Sequence, residues 1–98
     1  MKIKQITDDE LRRDDYIPVV VVERPVSYFT QQGFAFQEDC DDFDYHHYAL
    51  FEREDGTQFM LIHYRGFPPD QTTLYAPAET ADELEPLKAW VAEILPAL

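Results

Sequence analysis

Phe43-Asp44-Tyr45-His46-His47-Tyr48-Ala49-Leu50-Phe51-Glu52-Arg53, then Glu54-Asp55-Gly56, then Thr57-Gln58-Phe59-Met60-Leu61-Ile62-His63-Tyr64-Arg65, is the stretch that decides the fold. Both flanks are rich in aromatic and branched residues, and the centre ends in a glycine suited to a left-handed turn. This is the pattern of a β-hairpin. A three-residue connection with Gly56 left-handed pairs Arg53 with Thr57. Counting back pairs Phe51 with Phe59, Ala49 with Leu61 and His47 with His63. A two-residue loop would shift the register by one, pair His46 with Arg65 and exchange the two faces. The first register is preferred because it gathers Phe51, Phe59, Ala49 and Leu61 on one face.

Upstream of the hairpin, Thr7-Asp8-Asp9-Glu10 has the spacing of a capping box and predicts a short helix through Arg13. Tyr16-Ile17-Pro18-Val19-Val20-Val21-Val22 is β-branched and apolar on both faces. It predicts a strand covered on two sides, or half-covered by a partner chain, with Pro18 marking an edge. Pro25 opens a second helix of about two turns with Val26 and Phe29 on one face, and Gly33 supplies its left-handed stop. Phe34-Ala35-Phe36-Gln37 reads as a strand running into the acidic loop Glu38-Asp39-Cys40-Asp41-Asp42. Downstream, Gly66-Phe67-Pro68-Pro69-Asp70 is a turn, Thr72-Thr73-Leu74-Tyr75-Ala76 is one more short strand, and Pro77 ends it. Thr80-Ala81-Asp82-Glu83 repeats the capping-box pattern, and Leu87, Val91 and Ile94 recur at helical spacing in a helix from Pro86 to about Leu95. The expected fold is a single α+β domain over 1–98, in the order α-β-α-β-β-β-β-α. Its sheet is mostly antiparallel, of four to five strands, with helices packed on one face.

Composition narrows the classes of function. The 98 residues hold 20 Asp and Glu against 8 Lys and Arg, a formal net charge of −12. Direct binding to nucleic-acid phosphates needs clustered cations and is disfavoured, whereas a basic protein partner fits. Acidity that serves only solubility is the alternative. Cys40 is the single cysteine, so no disulfide can form within the chain, and a reducing, cytoplasmic setting is expected. The first residues lead into acidic ones with no apolar signal region, and no apolar run approaches the length of about 18 residues that a spanning helix needs.

Three histidines, His46, His47 and His63, invite a metal reading. His47 and His63 share a face, but a third ligand would have to come from elsewhere, for example Cys40 or a carboxylate of the acidic loop, and half-buried strand histidines bonded to neighbours are commoner. A calcium loop starting at Asp39 fails, because its twelfth position is Leu50 rather than a bidentate Glu. Carboxylate neighbours oppose a reactive Cys40 thiolate, and no phosphate-binding glycine loop or nucleophile elbow is present. No cofactor or metal is expected.

The segment from Ile17 to Arg65 has a β-α-β-β-β order, and with Ser27-Tyr28-Phe29-Thr30-Gln31-Gln32-Gly33-Phe34 at its helix-to-strand corner it resembles one half-module of the glyoxalase and bleomycin-resistance group. That group joins two such modules and places metal-binding His and Glu on particular strands. The second module is missing here, and its activities do not carry over.

The leading expectation is a non-enzymatic protein-interaction module, in the manner of inhibitors, immunity proteins or antitoxins, that docks an acidic surface on a basic protein. The expected contact residues are Glu38, Asp39, Asp41, Asp42, Asp44, Tyr45, Tyr48 and Tyr64. Tyr48, Leu50, Met60 and Ile62 alternate with the core residues of the hairpin. They predict apolar surface on both faces, and hence a homodimer or a heterocomplex. The alternatives are a small-molecule or metal-binding domain using the His47/His63 face, and a structural subunit of a larger assembly.

Overall fold

In chain order, the residues form β1 (Ile3–Ile6), a 3-10 turn (Asp8–Glu10), β2 (Tyr16–Val22), α1 (Val26–Thr30), β3 (Gln37–Cys40), β4 (Tyr45–Arg53), β5 (Gln58–Tyr64) and β6 (Thr72–Pro77). The computed structural model describes residues 3–12, 15–40, 44–54 and 56–79. The capping-box pattern at Thr80–Glu83, the helix expected from Pro86 to Leu95, and Asp41 and Asp42 lie outside the described residues.

The hairpin has the expected register: β4 and β5 pair Phe51 with Phe59, Ala49 with Leu61 and His47 with His63. Arg53 N–H donates to Thr57 O at 2.8 Å, Gly56 N–H donates to Arg53 O at 2.9 Å, and Gly56 sits at φ +90°. The sheet has six strands, all antiparallel, in the order β1-β4-β5-β6-β2, with β3 on the same side of β4 as β1. β4 is long enough to hold both: β1 pairs with Leu50–Arg53 and β3 with Tyr45–Tyr48.

This shared edge explains two departures from expectation. A strand is predicted at Phe34–Gln37 and a loop after it, but β3 begins at Gln37 and takes in Glu38, Asp39 and Cys40. In the β3 register Phe34, Ala35 and Phe36 would face Phe51, Leu50 and Ala49, and two of those places belong to Gln5 and Ile6 of β1. The Gln5 side-chain amide takes over instead. Its Nε2 donates to Ala35 O, and its Oε1 accepts from Ala35 N–H at 3.1 Å. β1 itself was not legible, because four residues with two polar ones among them carry too short an alternation.

One face of the sheet carries the main core. Phe51, Phe59, Leu61, Ala49, Leu74, Ala76 and Val22 are buried there, and Phe29 of α1 closes over them with Phe34 and Phe36. Phe34 meets Phe51 edge-on at 5.2 Å between ring centroids, and Phe29 lies 5.9 Å from Phe36. After α1 the chain turns at Gly33, φ +96°. On the opposite face Leu50 and Ile62 are only 3% and 8% exposed in the single chain, and Ile6 is buried with them. Of the four residues expected to leave apolar surface on this face, Leu50 and Ile62 are therefore buried, while Tyr48 and Met60 are partly buried.

The predicted helices packed on one face are not a feature of the described residues, whose one α-helix has five residues. The first expected helix is a single 3-10 turn. Glu10 reaches back to Thr7 N–H at 3.1 Å as a capping box does, but Leu11 is already extended, and Arg12 N–H donates to Gln58 Oε1 at 2.9 Å. The hairpin takes the amide that a next helical turn would need. β2 is an edge strand and not one covered on both sides: Ile17 and Val21 are 39% and 48% exposed. Pro18 and a register shift before Val20 interrupt its pairing to β6, as suits an edge. No helix among the described residues is long and apolar enough to cross a membrane.

Candidate functional site

Strand alternation builds a small grid at the open end of the hairpin. Glu38, His47 and His63 lie side by side on β3, β4 and β5. One step along, Cys40 pairs with Tyr45, whose carbonyl accepts from Arg65 N–H at 2.9 Å. Both rows continue the core face beyond Ala49 and Leu61, where the apolar cover ends. Neighbouring strands lie about 4.8 Å apart, so a row of three spans roughly 10 Å. Here a cleft of about 360 Å³ opens, lined by Glu38, Tyr45, His46, His47, His63 and Arg65. All three histidines of the chain meet in it.

Bonds at the cleft orient the imidazole rings. His47 Nε2–H donates to Glu38 Oε1 at 3.0 Å, since an ionised carboxylate only accepts. The two side chains are 44% and 79% exposed, so this pair is screened and adds little to stability. His63 Nδ1–H donates to Gln71 O at 2.8 Å. In the neutral rings the lone pairs therefore sit on His47 Nδ1 and His63 Nε2. Arg65 Nη2 lies 3.0 Å from Asp44 Oδ1, and its guanidinium carbon is 5.0 Å from the centre of the Tyr45 ring. Asp44 also accepts from Tyr45 N–H at 2.7 Å and Gly66 N–H at 3.1 Å, which ties the two ends of the hairpin together.

The residues expected to meet a partner divide into two groups. Glu38, Asp39 and Tyr45 are exposed, with Tyr45 at 55%. Asp44, Tyr48 and Tyr64 are built into the domain. Tyr48 Oη donates toward Asp8 Oδ2 at 3.0 Å; burial, and then the Asp8 bond, raises its pKa above the usual value. Tyr64 stands between His46 at 5.0 Å and Phe67 at 5.7 Å. Arg65 is the cleft residue missing from the expected set, although the alternation that places His63 on this face places Arg65 there too. Cys40 is exposed. Among the described residues no three His, Cys, Asp or Glu side chains are grouped to hold a metal ion.

The β-α-β-β-β order of the middle stretch is present as β2, α1, β3, β4 and β5. No protein family matches the chain, however, and no curated protein or solved structure matches it.

Proposed function

We propose that this chain is a non-enzymatic interaction module that docks its acidic side on a basic protein, in the manner of an inhibitor, immunity protein or antitoxin. The observation that carries this reading is β3, a sheet-edge strand with every residue exposed and Glu38 and Asp39 adjacent on it, in a chain of net charge −12. An acidic edge repels unwanted strand pairing and at the same time steers a cationic surface toward itself. Tyr45 and Phe67, 55% and 40% exposed close to the open end of the hairpin, supply the aromatic contacts that such interfaces favour. The test is association kinetics with a basic protein that co-purifies from the native host, for the parent chain and for E38Q/D39N. The expected result is a rate that falls as salt rises and drops about tenfold in the variant. A rate indifferent to both would refute the reading.

A second reading, a small-molecule-binding domain, is favoured by the cleft that gathers all three histidines with Tyr45 and Arg65.

A further inference from the structure

We infer that β3 is a docking edge for an extended segment of the partner, which adds to the sheet as an antiparallel strand and carries two successive cationic residues. This rests on the proposal that an acidic edge meets a basic protein, and it names the segment and how it is held. The backbone gives the first argument. Tyr45 O accepts from Arg65 N–H and Arg53 N–H donates to Thr57 O, so the odd-numbered residues of β4 turn their amides and carbonyls toward β5. His46 and Tyr48 turn theirs toward β3, where they meet Asp39 and Gln37. Glu38 and Cys40 therefore direct their backbone groups away from β4. The Cys40 amide is met by Asp39 Oδ1 at 2.8 Å. Glu38 presents an N–H and a C=O side by side on the outer edge, the two groups that one residue of an antiparallel neighbour bonds at once, and no strand among the described residues pairs there. At the far side of the sheet β2 is a longer edge, but Pro18 brings no N–H and a register shift interrupts it.

Alternation sets what the added strand must carry. A residue opposite Glu38 stands on the cleft face, and its neighbour, opposite Asp39, stands on the other face. Both β3 side chains are exposed, in a chain with 20 Asp and Glu against 8 Lys and Arg. An apolar strand would gain nothing from either carboxylate, and a second copy of β3 would set carboxylate against carboxylate. Lys or Arg at both places pairs each carboxylate across the strands. Cations two residues apart would share one face and leave either Glu38 or Asp39 unmatched.

The test titrates the isotopically labelled whole chain with the acetylated, amidated hexapeptide Thr-Val-Lys-Arg-Val-Thr at constant pH and ionic strength. With Lys opposite Asp39 and Arg opposite Glu38, the Arg amide faces Glu38 O and the Lys amide points away. The readout is the Glu38 amide proton, which moves downfield as it gains a bond. The expected result is a saturable shift there, with Gln37 and Asp39, whose amides face β4, moving little. N-methylation of the peptide's Arg keeps the charge but removes that donor, and should weaken binding about tenfold; N-methylation of its Lys should change it less than about twofold. Replacing Lys-Arg with Gln-Gln, or using the E38Q/D39N chain, should also weaken binding about tenfold. Both changes in the chain are at exposed side chains, and an unchanged amide spectrum away from β3 verifies that the variant is folded. Equal effects of the two methyl groups, or no shift at Glu38 at millimolar peptide, overturns strand addition; the acidic-docking reading, tested with the co-purifying protein, survives that result. Undiminished binding of the Gln-Gln peptide overturns the requirement for a cationic segment.

Discussion

Replacing Gln58 with Leu tests how residues 3–12 are held to the hairpin. Gln58 is 4% exposed. Its Oε1 accepts from Arg12 N–H at 2.9 Å, and its Nε2 donates to Glu10 O at 2.8 Å and to Glu52 Oε2 at 3.0 Å. A leucine fills the space but bonds to none of these. A buried polar group left alone costs about 1–3 kcal/mol, and the part-buried setting of these bonds puts the Arg12 amide and the Glu10 carbonyl near the low end, about 2–4 kcal/mol together. Extra apolar burial by the leucine offsets less than about 1 kcal/mol of this. With a urea slope of about 1–1.5 kcal/mol/M for a small domain, the net loss of about 1–4 kcal/mol lowers the midpoint by roughly 0.7–4 M at unchanged slope. Hydrogen exchange at the Arg12 amide should accelerate in parallel. Q58E makes a useful companion, because it keeps an acceptor for Arg12 but sets a second carboxylate against Glu52, so its loss is largest at neutral pH and shrinks on acidification. A midpoint shift in Q58L too small to resolve, or an Arg12 amide as protected as in the parent chain, would refute this account of the network.

Three further outcomes follow from groups already described. The Gln58 bond, and then the Arg12 bond, lower the Glu52 pKa below its usual 4.5; its contribution is therefore present above that value and lost as pH falls through the folded-state pKa. The stability difference between parent and E52Q, followed by thermal melts, should be constant near neutrality and close in acid. Tyr48 is shifted the other way, above 10.0, so its contribution is intact below that pH and lost above it. Absorbance titration should show a late-ionising component that Y48F removes and D8N brings earlier. At Gly33 a Cβ would meet nothing within 4 Å, but φ is +96°; G33A should cost about 1–2 kcal/mol in urea melts through backbone strain alone.

The hairpin was legible down to its register because two constraints agree: Gly56 fixes the turn, and the parity of Phe51, Phe59, Ala49 and Leu61 fixes the face. That parity also put His47 and His63 together, so the centre of the cleft was visible. Arg65 could have been read by the same rule. Glu38 at the cleft was out of reach, because it depends on β3 pairing with β4, and β3 is displaced along the chain by β1. The helix expected after Thr7 failed for a related reason: a glutamine 46 residues away, Gln58, claims the Arg12 amide. Local patterns hold where short-range and long-range bonds agree, and they fail where a distant side chain outbids the next turn.

The edge of β4 that β1 and β3 divide between them has the character of a contested template. If β1 peels away, Phe34, Ala35 and Phe36 are the next residues in the β3 register, and Phe34 already lies against Phe51, its would-be partner. The boundary between the two strands could then migrate along β4 one pair at a time, as one strand displaces another on a nucleic-acid duplex. The Gln5 amide clasped to Ala35 is the stop that holds the boundary in place. Q5A, or removal of the first six residues, should lengthen β3 toward Phe34, with changed amide protection confined to Phe34 to Phe36 and no change at Glu38 to Cys40.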